Sequence, residues 1–163
     1  MAAAGIPQCA SATQASDIPS VMRAEHMTVI DRIAVLAHRP APVGPEAAKL
    51  LDMVKPQMLR HEDVLLPALT LLPMMAGPGS QDWKWALPLV DRIMAQQPLN
   101  YREEQKINRQ MEVLAAAARA ANDSAAIDVA SKAAAILTEE DDVIQPTVLL
   151  ASQHLRPKPY VGY

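Results

Sequence analysis

His61-Glu62-Asp63-Val64-Leu65-Leu66-Pro67 returns later in the chain as Glu140-Asp141-Asp142-Val143-Ile144-Gln145-Pro146, acid-rich at its start and closed by proline both times. The same shift of 78 or 79 positions lays Glu25-His26 and Ile33-Ala34-Val35-Leu36-Ala37 over Glu103-Glu104 and Met111-Glu112-Val113-Leu114-Ala115. Self-similarity of this kind marks one supersecondary unit used twice. Each unit reads as a helical hairpin, and two hairpins of like design predict an all-α, up-down four-helix bundle with pseudo-twofold symmetry.

Apolar spacing places the helices. The first is expected to start near Ser16 to Pro19 and to end at Ala37, before His38-Arg39-Pro40-Ala41-Pro42, with a stripe of Met22, Val29, Ile30, Ile33 and Leu36. The second spans about Pro45 to Leu72 and carries Leu50, Val54, Leu65, Ala68 and Leu72, with a kink or break expected at Pro56 or Pro67. Residues 73 to 80, with two Gly and two Pro, read as a loop. Ser80 can cap a shorter helix through Trp83 and Trp85 that Pro98 ends. Asn100 then opens the third long helix, with Glu103 completing a capping box and Ile107, Met111, Leu114 and Ala118 on one face. The fourth runs from Ser124 to Gln145 with Val129, Ala133, Ile136 and Ile144 inside, and a last helical piece follows Pro146 to Leu155. One domain over 18–155 is expected, flanked by a flexible tail at 1–17 and a short tail at 156–163.

Composition agrees with helices and excludes several functions. Phe is absent and nine Met are present, so the core must come from Ala, Leu, Ile, Val and Met, a palette of strong helix formers. A net charge of −3 without a Lys or Arg run offers no stripe for a phosphate backbone, which excludes nucleic acid as an expected partner. The single cysteine, Cys9, cannot make an internal disulfide. No apolar run reaches the roughly 18 residues of a membrane span, and residues 1 to 16 make a poor signal peptide, so a cytoplasmic protein is expected. There is no Ser-His-Asp set and no Gly-rich phosphate loop.

Projected at 3.6 residues per turn, each long helix carries one polar residue on its apolar stripe: His26, His61 with Gln57 a turn before it, Glu104, and Glu140 with Asp141 beside it. A carboxylate in an apolar interior is costly unless it is paired, hydrogen-bonded or bound to a cation. Two imidazoles and two carboxylates from four facing helices suit iron, manganese or zinc. The acidic run 139 to 142 opposes the helix dipole, a penalty that a cation offsets. Each residue also has a plainer alternative. His26 fits a satisfied core histidine, His61 a solvated face turned by Pro56, Glu104 a first-turn acid favoured by the dipole, and the acidic run a solvated helix end. His38 and His154 lie beside Pro-rich ends and read as surface residues.

At these residues the chain resembles the hemerythrin-like, or HHE, cation-binding domains over roughly residues 18 to 152. Glu25-His26 fits that family's first Glu-His, and the prolines of Val64-Leu65-Leu66-Pro67 and Val143-Ile144-Gln145-Pro146 fit its Phe-Pro anchors. Counted back from those prolines, the family's carboxylate positions fall on His61 and Glu140, its histidine positions on Gln57 and Ile136, and its third-helix histidine on Glu104. The resemblance implies a hemerythrin-like fold and non-haem iron that binds dioxygen or nitric oxide, or carries out redox chemistry. The altered ligand set leaves a mononuclear site, a two-metal site with bridging carboxylates and an empty relic as alternatives.

The leading expectation is a metal-binding protein that uses His26, His61, Glu104 and Glu140, with Gln57 and Asp141 as further candidates. Its metal is iron, mononuclear or dinuclear, with manganese or zinc as alternatives, and its partners are the metal ion and dioxygen or another small molecule. The alternatives are an oxygen-dependent non-haem iron enzyme and a metal-free helical interaction module, in which the Trp83 to Trp85 segment serves a partner or a homodimer.

Overall fold

The structure, a computed structural model, describes residues 20–65, 67 and 83–155, and all regular structure in them is helical. The order is α1 (Ser20–Ala37), α2 (Val43–Arg60), a π-helical turn (His61–Leu65), a short 3-10 turn (Trp83–Ala86), α3 (Leu87–Ala120) and α4 (Ser124–Leu155). Residues 38–42 join α1 to α2 and residues 121–123 join α3 to α4, so each connection returns the chain along its predecessor in an antiparallel pair. The pairs also touch each other, α2 against α3 and α1 against α4. No helix among the described residues is long and apolar enough to cross a membrane.

The expected stripes do fill the interior. Val29, Ile30, Ile33 and Leu36 from α1, Leu50, Val54 and Met58 from α2, Ile107, Met111, Leu114 and Ala118 from α3, and Val129, Ala133 and Leu137 from α4 form one apolar cluster. Leu137 takes the fully buried place expected of Ile136, which is only partly covered. Full burial of a side chain such as Leu50 or Ile33 contributes roughly 1.5–3 kcal/mol, so this cluster supplies the main cohesion. A smaller cluster of Ala86, Val90 and Ala151 lies beyond it.

Proline placement corrects the expected boundaries. Pro98 and Pro146 were expected to stop helices, yet each lies inside one continuous helix, as does Pro56. A proline in a helix frees the carbonyl four residues earlier. Here Pro56, Pro98 and Pro146 are exposed, and so are Asp52, Met94 and Asp142 four positions before them, so water reaches the freed carbonyls. The capping box at Asn100 is therefore wrong: Asn100 is buried in mid-helix, and Glu103 pairs with Arg60 across α2 and α3. The second helix also ends its α-helical course at Arg60 rather than Leu72, passing into the π-helical turn. With Pro146 inside α4 and Pro67 beyond that turn, the two repeat prolines do not mark equivalent helix ends. The proposed start of α1 at 16–19, the loop at 73–80, the Ser80 cap and both tails lie outside the described residues.

The turns are closed by specific chemistry. At the end of α3 Asn122 adopts φ 55, the Asn122 N–H donates to the Arg119 carbonyl at 3.1 Å, and the Asp123 N–H donates to the Ala118 carbonyl at 2.8 Å. This is a Schellman motif with Asn in the left-handed position. Asp123 then caps α4, its Oδ1 accepting from the Ala126 N–H at 3.1 Å, and also pairs with Arg39 in the other interhelical turn. Gly44 opens α2 so close to that turn that a Cβ would stand 1.8 Å from the Arg39 carbonyl oxygen. The Gln110 side-chain amide donates to the Glu46 carboxylate at 2.9 Å and to its carbonyl at 3.1 Å, tying α3 to the first turn of α2.

Two outcomes follow. Asn122→Ala should lower stability by about 1–2 kcal/mol in urea unfolding, whereas Asn122→Gly should be tolerated, because only the former meets the left-handed steric penalty. The hydrogen bond from Arg39 and then the Ala126 N–H hold the Asp123 carboxyl below its usual range, and Lys49 followed by Gln110 do the same for Glu46. Carboxyls with depressed values stabilise the fold above their unfolded-state values near 4 and lose that contribution as pH falls through the folded values. The melting temperature should therefore drop on acidification below about pH 4, and Asp123→Asn, which keeps a cap but no charge, should flatten part of that drop.

Candidate metal centre

Beyond the main apolar cluster, the interior turns polar. His26 on α1 precedes Val29, Gln57 and His61 flank the cluster's end on α2, and on α3 Asn100 and Glu104 fall between Val90 of the small cluster and Ile107 of the large one. The exposures are 0% for His26 and Gln57, 1% for His61, 5% for Asn100 and 7% for Glu104, values ordinary for Leu and unusual for these residue types. Thr147 of α4 is buried too, but its hydroxyl donates to the Val143 carbonyl at 2.6 Å and is thereby satisfied within its own helix.

Of the residues singled out from the sequence, four are therefore interior: His26, Gln57, His61 and Glu104. Glu140 and Asp141 belong to α4, but their side chains lie outside the described residues. The expected pairing of His61 with Glu140 turns on a side chain outside the described residues. His61 Nε2 stands 4.0 Å from Glu104 Oε1, across α2 and α3. His26 Nδ1 lies 3.2 Å from Glu62 Oε1, across α1 and the π-helical turn, and Arg23 Nε lies 3.3 Å from Glu62 Oε2. Among the described residues, no group of three or more His, Cys, Asp or Glu is gathered closely enough to hold a metal ion.

The π-helical turn makes this arrangement. A helix of 4.4 residues per turn is rare and concentrates at functional sites, because widening the turn re-aims consecutive side chains. From this single turn His61 addresses Glu104 of α3 while Glu62 addresses His26 and Arg23 of α1. Sequence reasoning did not select Glu62. The signal was present in Arg23 and His26, three apart on α1 and offering a guanidinium and an imidazole to one carboxylate. Asn100 was missed for another reason: it lies four residues before Glu104, on the buried stripe, but the proline two positions earlier made it look like a cap.

Two donor sets can be compared by their chemistry. The separation of 4.0 Å between His61 Nε2 and Glu104 Oε1 exceeds a hydrogen bond. Two atoms each roughly 2.1 Å from a shared ion lie about 3.4 Å apart at a tetrahedral angle, so the pair would close by about half an ångström to share one cation. Gln57 adds a neutral oxygen: neither Oε1 nor Nε2 of its buried carboxamide has a hydrogen-bond partner among the described residues, and Asn100 Oδ1 is in the same state. The His26–Glu62–Arg23 set is different, since it has already brought opposite charges and hydrogen-bonding atoms together.

Compared with protein-family models, with curated proteins and with solved structures, the chain has no match.

A buried group without a partner costs about 1–3 kcal/mol, and replacing it with an apolar side chain of like shape removes that cost. Gln57→Met should therefore raise the unfolding free energy of the metal-free protein by about 1–3 kcal/mol in urea titrations. A fall in stability would show that the carboxamide is hydrogen-bonded in solution.

Proposed function

We propose that this chain is an up-down four-helix bundle of the hemerythrin-like kind that binds a metal ion in its buried polar layer, with iron the first candidate and manganese and zinc the alternatives. The carrying observation is the facing of buried His61 and Glu104 at 4.0 Å, with Gln57, four residues before His61, carrying a buried carboxamide that has no hydrogen-bond partner among the described residues. The antiparallel pairing of α1 with α2 and of α3 with α4, and the contacts between the pairs, support the bundle reading.

In this reading His61 supplies an imidazole nitrogen, Glu104 the negative charge that offsets the cation, and Gln57 a carbonyl oxygen, with His26, Glu140 and Asp141 as further donors. Iron bound there supplies dioxygen or nitric oxide binding, and in the runner-up reading oxygen-dependent redox catalysis. The chain's own contribution is to hold the donors on three rigid elements and to exclude bulk water, since the four interior residues are at most 7% exposed.

One observation favours the rival reading of a metal-free helical interaction module. Glu62 neutralises part of the interior without any ion, through Arg23 and His26. Trp85, half-exposed in the turn before α3, is the surface residue such a module offers a partner or a second copy.

Elemental analysis of protein purified without added metal decides between them, backed by melting curves with iron(II), manganese and zinc. A metal that binds only the folded state adds RT ln(1 + [L]/Kd), about 2.7 kcal/mol when free metal is a hundredfold above Kd. The wild type should melt higher with metal and lower with chelator, and His61→Ala should lose most of that response. Protein that holds no metal and shows an unchanged melting temperature with all three ions leaves the interaction module as the function.

A further inference from the structure

Along the outer face of α3, Arg92, Leu99, Lys106 and Val113 stand seven residues apart, and Arg102 and Arg109 form a neighbouring row three positions after Leu99 and Lys106. All six are exposed, Leu99 by 44% and Val113 by 46%. Two rows at this spacing make a straight seam about 30 Å long, the geometry by which one helix lies along another. The seam runs beside α2, since Glu103 and Gln110 at its edge reach Arg60 and Glu46 of that helix.

The charge of the seam has one sign. Arg102, Lys106 and Arg109 stand four and three residues apart, where like charges on a helix repel. None of the four basic side chains of the seam makes an ion pair among the described residues, whereas Arg23, Arg32, Arg39, Lys49, Arg60 and Lys132 each do. The carboxylates on its α2 side are already engaged, Glu103 by Arg60 and Glu46 by Lys49 and Gln110. The Nε–H groups of Arg102 and Arg109 donate to the carbonyls of Pro98 at 3.0 Å and Gln105 at 3.2 Å. These bonds lay both guanidiniums along the helix surface and reduce the ordering that a partner must bring about.

We infer that this seam is a docking surface for a helix of another protein, acidic at its centre and apolar at both ends. Its acids lie against Arg102, Lys106 and Arg109, and its apolar residues against Leu99 and Val113. A second copy presenting the same seam would meet its own charges, and a phosphate polymer would leave Leu99 and Val113 without apolar partners. The inference does not depend on whether the interior holds a metal.

The experiment uses the full chain and a labelled helical peptide of about 20 residues that carries Glu at heptad spacing between terminal Leu residues, with binding read by fluorescence anisotropy. Beside it stand a scrambled peptide of the same composition, vesicles of phosphatidylserine and phosphatidylcholine, and a short DNA duplex. The acidic helix should bind at least about tenfold more tightly than the scrambled peptide, and its affinity should fall steeply between about 50 and 300 mM salt. Arg102→Glu with Lys106→Glu should weaken binding about tenfold or more. Lys55→Glu with Arg119→Glu reverses the same amount of charge at exposed positions off the seam, and should leave the affinity within about twofold. Melting curves verify folding, and if the Glu pair fails to fold, Arg102→Gln with Lys106→Gln decides in the same direction. Absence of peptide binding, an unchanged affinity in the seam variant, or an equal loss in both charge-reversed variants overturns the inference. Seam-dependent binding to the vesicles or the duplex without binding to the peptide overturns it too, and assigns the face to an anionic membrane or to nucleic acid.

Discussion

The costliest feature of this molecule is a set of polar side chains inside an interior otherwise built from Ala, Val, Leu, Ile and Met. Burying an unpaired amide or an isolated charge costs several times what one apolar contact contributes, so every such group constrains its surroundings. Here the constraint is met unevenly. Thr147 is satisfied within its own helix, Glu62 gathers two cationic or imidazole partners, and His61 faces Glu104. Gln57 and the Asn100 carbonyl keep buried atoms without a hydrogen-bond partner among the described residues.

Position along the helices separates this layer from what holds the molecule together. The large apolar cluster lies toward the end where α1 meets α2 and α3 meets α4, and at that end the Schellman turn, the Asp123 cap and its pairing with Arg39 fasten the two connections to each other. The buried polar atoms without a hydrogen-bond partner among the described residues collect instead at the far end of the cluster, near the π-helical turn.

The π-helical turn is the economical part of this design. By widening the last turn of α2, the chain sends neighbouring residues of one segment to two different helices, His61 toward α3 and Glu62 toward α1.

The sequence by itself determined that the chain is helical, roughly where its helices lie and which faces are apolar, because spacing near 3.6 is a local signal that survives any tertiary arrangement. It also determined that His26, Gln57, His61 and Glu104 lie on those faces, and all four are interior. Only the tertiary structure decided how prolines behave and which polar residues meet. Pro98 and Pro146 stop a helix only if the freed carbonyl has no partner, and whether water reaches it depends on which side of the folded molecule it faces. The partners of His26 and His61 depended likewise on a local π-helical turn and on the packing of α2 against α3. Neither is encoded in periodicity, since a widened turn changes the direction of side chains without changing the pattern of residues that announces the helix.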